Sequence, residues 1–150
     1  MLGTIYYEKP GPAANLEKLS VADSAFVLTP FTSIGLVSEG GSSYMFVKRM
    51  GLAKANEALL LSKRITAQEL VECGFANKVF PTAGFEERVL EFVGDAMGDH
   101  LVHGSMHGVK KLIRQGMERD LESASFREAF EGLERLEISL FFSFFFRLAC

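Results

Sequence analysis

The stretch Phe26-Val27-Leu28-Thr29-Pro30-Phe31-Thr32-Ser33-Ile34-Gly35-Leu36-Val37-Ser38-Glu39-Gly40-Gly41-Ser42-Ser43 decides how this chain folds. It opens inside a short apolar run, residues 25–29, rich in strand formers and stopped by Pro30. A second apolar set, Ile34, Leu36 and Val37, is broken by Gly35 and ends at the polar residues 38–43. The period then changes. Tyr44, Phe46, Val47 and Met50 fit a helical stripe, with Ser42 and Ser43 placed to cap its start. Gly51 is expected to end that helix. An acidic residue, Glu39, therefore sits at a glycine-flanked corner between extended chain and helix.

Working outward, residues 52–63 hold strong helix formers and predict a second helix. Thr66-Ala67-Gln68-Glu69 has the form of a capping box, so a third, short helix is expected from Ala67 to about Cys73, stopped by Gly74. Residues 75–80 alternate as a strand does, and Pro81 closes them. A helix follows over residues 85–97, with Val89, Phe92 and Val93 inward. Two further helices are expected over residues 105–116 and 123–146, the second opening with Ser125-Phe126-Arg127-Glu128. Upstream, Tyr6-Tyr7-Glu8-Lys9-Pro10-Gly11-Pro12 reads as a turn or loop.

A chain of 150 residues is one domain by the length prior. It is long enough to bury roughly 68–70% of its unfolded surface. With 48% apolar and 23% charged residues it is not a disordered or collagen-like chain. A net charge of -3 argues against nucleic acid as a partner. The two cysteines, Cys73 and Cys150, form no disulfide framework and lack zinc spacing, so a reducing compartment is the default. The first residues lack the apolar core of a signal peptide and the Arg-rich pattern of a presequence. No apolar run reaches the ~18 residues of a membrane span, and the Phe-rich segment 138–146 is about half that. That segment is expected to be a buried helix or a subunit contact.

The pattern leaves two roles open for Glu39. It complements the dipole of the following helix, or it is a base whose ionisation is balanced between helix amides and apolar neighbours. His103 and His107 share a helix face, but residue 104 is Gly and no third ligand is evident, so no metal site is expected. Gly40-Gly41-Ser42-Ser43 lacks the ending of a phosphate-binding loop and reads as the start of a helix. Lys110, Lys111 and Arg114 form a small basic cluster, either a solvated face or a contact for a phosphate-bearing ligand.

The stretch 26–43 resembles the crotonase (enoyl-CoA hydratase/isomerase) superfamily, most closely its peroxisomal Δ3,Δ2-enoyl-CoA isomerase branch. The likeness continues through Met50-Gly51-Leu52-Ala53-Lys54-Ala55-Asn56-Glu57-Ala58-Leu59-Leu60-Leu61-Ser62-Lys63-Arg64-Ile65-Thr66-Ala67 to Asn77-Lys78-Val79-Phe80-Pro81, and more loosely to about residue 135. It implies an α/β fold, a partial crotonase-like β-β-α spiral followed by a C-terminal α-helical region. Residues 1–20 are then an atypical N-terminal segment, 21–82 the C-terminal part of the core, and 83–150 the helical region.

It also implies an acyl-CoA substrate, no cofactor, and a homo-oligomer, trimeric or hexameric. Glu39 matches the catalytic carboxylate of the isomerase branch. Phe31 stands where hydratases of the superfamily carry a glutamate, which argues against simple hydration. Phe31, Ile34, Leu36, Gly40 and Lys110 are the expected substrate contacts. One carboxylate suits the chemistry: it takes a proton from C2 and returns one at C4. The family location is peroxisomal, but the ending Arg147-Leu148-Ala149-Cys150 is not a peroxisomal address, which leaves mitochondrion and cytosol open.

Family members have about a hundred more residues upstream, which supply both oxyanion donors and much of the CoA site. Gly11-Pro12-Ala13 only faintly echoes the segment bearing the second donor. The chain by itself, as a truncated product, is therefore expected to be inactive or nearly so. Two other outcomes remain: a non-catalytic crotonase-like module that binds acyl-CoA or a protein partner, or an unfolded fragment with open strand edges.

Overall fold

The computed structural model describes residues 20–148, with side chains described as far as residue 136. The elements, in chain order, are β1 (Ser20–Ala22), β2 (Phe26–Val27), a 3-10 turn (Thr32–Ile34), α1 (Ser42–Leu59), β3 (Ile65–Thr66), α2 (Ala67–Glu72), β4 (Lys78–Phe80), α3 (Phe85–Ala96) and α4 (His103–Leu148). The fold is mixed α/β, and past residue 82 the described chain is helical apart from its connections. Its contacts divide into two interleaved units. One joins the chain up to Val27 to Arg64–Glu118; the other joins Leu28–Lys63 to the chain from Arg119 onward.

In the first unit β1 pairs in parallel with β4, Val21 opposite Val79, and β2 pairs antiparallel with β3, Val27 opposite Ile65. Ile65, Leu70 and Val21 are the largest fully buried side chains. The predicted capping box forms as expected: Thr66 Oγ1 accepts the Glu69 N–H at 3.4 Å, and Glu69 Oε2 accepts the Thr66 N–H at 2.9 Å. Phe80 meets Phe85 and Phe92 edge-on, with centroids 6.3 and 5.6 Å apart, which ties α3 to β4. Val93 is buried on the inner face of α3, and Val89 and Phe92 are half-buried beside it, as the period predicted. The Thr82 hydroxyl and N–H both donate to Asp23 Oδ1, at 2.6 and 3.1 Å, and hold that carboxyl below its ordinary range. This anchor is complete above the ordinary carboxylate pKa and is lost as pH falls through the lowered one.

Several elements differ from the sequence-based expectation. The strand over 75–80 shrinks to Lys78–Phe80, because the Ala76 N–H turns back to the Leu70 carbonyl at 2.8 Å and closes α2. The run 25–29 is a strand only at Phe26–Val27, because its partner β3 is only Ile65–Thr66: α2 begins at Ala67, opposite Ala25, and Arg64, opposite Leu28, lies outside the ladder. The helices expected over 105–116 and 123–146 are one helix, α4. Gly116 costs it roughly 1 kcal/mol relative to Ala, too little to stop a segment without proline. Ser125 and Glu128 therefore lie inside a helix and do not open one. In the second unit, Gly51 breaks α1 as predicted: its φ of 75° and ψ of 160° separate two helical segments. The Gly11-Pro12-Ala13 segment, Cys150 and the side chains of the Phe run at 141–146 lie outside the described residues.

Leu70→Ala is expected to cost about 2–5 kcal/mol in urea unfolding. Thr66→Ala should cost about 1 kcal/mol through loss of the cap. Leu61→Ala, at a side chain 73% exposed, should stay within about 0.5 kcal/mol.

Candidate active site

The corner at residues 39–43 is built by backbone. The Ser42 N–H donates to the Glu39 carbonyl at 3.2 Å and closes a four-residue turn. Its two central residues, Gly40 and Gly41, have φ of 66° and 75°, a conformation that residues with a Cβ rarely adopt. Helix α1 starts directly from this turn.

A helix start leaves N–H groups without intrahelical partners. Ser42 and Ser43 were expected to serve them; the structure corrects this. The cap residue is Gly41, with no side-chain cap bond, and Ser42 Oγ is buried without a partner among the described residues. Glu128 of α4 does the work from across the second unit. Its Oε2 accepts the Gly41 N–H at 2.6 Å, and its Oε1 accepts the Ser43 N–H at 2.7 Å. The helix-start amides thus hold an internal carboxylate, so those of Gly41 and Ser43 are not free to bind an external anion. Sequence reasoning placed Glu128 only in a helix-opening pattern. The signal that it caps a different helix is tertiary.

The other end of α1 is served in the same way. Thr29 Oγ1 donates to the Ala58 carbonyl at 2.8 Å, and Thr32 Oγ1 donates to the Leu60 carbonyl at 2.9 Å. Thr29-Pro30-Phe31-Thr32 is thereby fastened to the C-terminal end of the helix whose N-terminal end follows Glu39. Gly35, at φ of 76°, ends the 3-10 turn, and the Leu36 N–H returns to the Phe31 carbonyl at 2.8 Å.

Phe31, Ile34, Leu36, Glu39 and Gly40 all belong to the second unit, on this loop and turn; Lys110 belongs to the first. Phe31 is half-buried, whereas Ile34, Leu36, Glu39 and Gly40 are exposed. The described residues therefore do not enclose the Glu39 carboxylate. An open cavity of about 360 Å³ lies in the same unit, lined by Ser43, Tyr44, Asp120, Ser123, Ala124 and Arg127. None of the five expected residues of the second unit lines it. His103 and His107 are exposed on α4, and the described residues contain no cluster of three metal-ligating side chains. No described helix is long and apolar enough to cross a membrane.

Comparison with known proteins gives this geometry a context. The family model described as enoyl-CoA hydratase/isomerase matches residues 19–133. The chain is 49% identical over 120 residues to a Delta(3,5)-Delta(2,4)-dienoyl-CoA isomerase of Pyricularia oryzae, covering 75% of this chain and 43% of that protein. It is 33% identical over 123 residues to the peroxisomal enoyl-CoA delta isomerase 3 of Mus musculus, covering 82% and 38%. The crystal structure of an enoyl-CoA hydratase/isomerase from Pseudoalteromonas atlantica superposes with a TM-score of 0.73 at 25% identity, covering 89% of this chain and 56% of that one. The chain thus spans about two-fifths of the length of those two curated relatives.

Gly41→Ala is expected to be the most damaging substitution at the corner. Its Cβ would overlap Leu121 Cδ1 and stand 3.0 Å from Ser125 Oγ, at a φ that already disfavours it. A loss of about 1–3 kcal/mol follows for the overlap. Gly40→Ala meets no neighbour within 4 Å and should cost only the backbone term, about 1–2 kcal/mol. Denaturant unfolding of both variants measures the difference.

Proposed function

The chain belongs to the enoyl-CoA hydratase/isomerase family, and from that premise we propose that it is an enoyl-CoA isomerase in which Glu39 shuttles a proton along an acyl-CoA thioester. The observation that carries this reading is a carboxylate on a tight glycine turn, one residue before two left-handed glycines and fixed to the start of a helix. Such a group is held by backbone, and a general base must be held.

The proposed reaction moves a double bond from C3–C4 to C2–C3. The Glu39 carboxylate takes a proton from C2, which the thioester carbonyl makes acidic. The electron pair spreads over the oxygen, C2 and C4 as a dienolate. The same carboxyl group, now protonated, gives a proton to C4. No redox partner is needed, and the base is regenerated. Charge developing on the thioester oxygen calls for N–H donors. The amides of Gly41 and Ser43 are occupied by Glu128, so those donors must come from elsewhere.

Phe31, Ile34, Leu36 and Gly40 are proposed as contacts for the acyl chain, and Lys110 as a contact for a CoA phosphate. The absence of a glutamate at Phe31 supports isomerisation over hydration, because adding water is better served by two acid–base groups. The name of the mouse relative supports a peroxisomal setting. The exposed side chains of Phe126 and Phe130, edge-on at 4.8 Å on α4, support a homo-oligomer that covers them.

The exposure of Glu39 favours a second reading, an acyl-CoA-binding module without turnover. One experiment separates the two. The chain is incubated with a 3-enoyl-CoA and with a 3,5-dienoyl-CoA, and binding and conversion are measured on the same sample. Conversion of the 3-enoyl-CoA that falls roughly 10²–10⁴-fold in Glu39→Gln supports the isomerase. Binding of both compounds without conversion supports the module. Conversion that survives Glu39→Gln removes the role given to this residue.

A further inference from the structure

Glu128 is the one charged residue buried among the described residues, with 7% of its surface exposed. A buried carboxylate is unfavourable unless hydrogen bonds replace its water. Here both oxygens are spent on one short piece of backbone, the amides of Gly41 and Ser43, at 2.6 and 2.7 Å. These are short, charge-assisted bonds, the strongest class available to a backbone N–H.

The same face of α4 also closes on the turn by packing. Leu121, Ser125 and Glu128 follow one another at helical spacings of four and three. Leu121 Cδ1 and Ser125 Oγ approach Gly41 so closely that a Cβ there would have to displace them. The backbone on the other side of Gly41 runs straight back through Gly40 to Glu39, whose carbonyl accepts the Ser42 N–H at 3.2 Å. The Glu39 side chain is exposed, so its location is set by this backbone and not by packing around the carboxyl group.

We propose that Glu128 is the positioning residue of Glu39: by gripping the amides of Gly41 and Ser43 it fixes the turn from which the reacting carboxylate projects. The proposal rests on the reading of Glu39 as the base. Glu128 touches no substrate. It acts through two glycines, which have no side chains of their own to hold the turn in place and so depend on an external clamp. An acid on one helix thereby sets where a second acid stands at the start of another.

The test uses the full chain with isotopic labelling. Glu128→Gln keeps the shape but loses the charge and turns one acceptor into a donor facing an N–H. In this variant the amides of Gly41 and Ser43 are expected to exchange with solvent at least ~10-fold faster, and the order parameters of Gly40 and Gly41 to fall from about 0.85 to below 0.6. Ala55 and Ala58, beyond the break at Gly51, should be unmoved; loosening there as well would mark a general loss of structure and overturn a role confined to the turn. Glu131→Gln, on the exposed face of α4, is the control and should change neither.

An ordered turn in Glu128→Gln overturns the proposal. If that variant does not fold, the parent decides: amide protons of Gly41 and Ser43 that lie far downfield and titrate together support the clamp, and unshifted, independent protons overturn it. In samples that convert a 3-enoyl-CoA, Glu128→Gln should lower kcat by about 10²-fold with KM within twofold. An unchanged kcat there overturns the positioning role even if the turn loosens. Loss of turn order in Glu128→Gln with full activity in Glu39→Gln would sink the isomerase reading and leave the clamp standing. Loss of activity in Glu39→Gln with an ordered turn in Glu128→Gln would do the reverse.

Discussion

Helix α1 leaves polar backbone groups at both ends, and the second unit is organised around satisfying them. At the start, Glu128 takes the amides of Gly41 and Ser43. At the finish, the hydroxyls of Thr29 and Thr32 reach the carbonyls of Ala58 and Leu60. Three segments distant in sequence are joined in this way. Met50, Ala55 and Ala58 are the buried apolar side chains of the helix, and two of them are alanines.

The first unit is held differently. Among the described residues its strands are too short to stand alone, two or three residues each, and each pairs with one other. What stabilises them is the burial of Ile65, Leu70 and Val21, with Phe80 stacked edge-on to two rings. Parallel pairing of β1 with β4 is the arrangement that α/β folds normally cover on both faces.

The candidate base and its clamp join the two themes of backbone satisfaction and chemistry. Glycines at 40 and 41 let the chain turn sharply and approach α4, but they leave the turn without side chains to fix it. A buried carboxylate is a costly way to fill that role. It brings directionality, because its two oxygens bind two amides at once and so set an orientation as well as a position. A hydrophobic side chain at 128 would relieve the burial cost and lose that orientation.

Local signals in the sequence determined a good deal by themselves. The capping box at Thr66–Glu69, the break at Gly51, the inner face of α3 and the glycine corner after Glu39 all depend on neighbours within a turn or two, and all appear in the fold. Family membership was legible for a similar reason: the run from Phe26 to Ser43 keeps a recognisable order of residue types. Tertiary structure decided the rest. Whether 105–116 and 123–146 were two helices or one turned on a cost at Gly116 small enough for context to settle. The lengths of β2 and β4 were set by what lay opposite or folded back on them, which no local pattern records. Above all, Ser125 and Glu128 have the local form of a helix start, and only the fold places Glu128 beneath Gly41 and Ser43. The physical reason is that a carboxylate goes where unsatisfied amides are, and their location is a property of the folded chain.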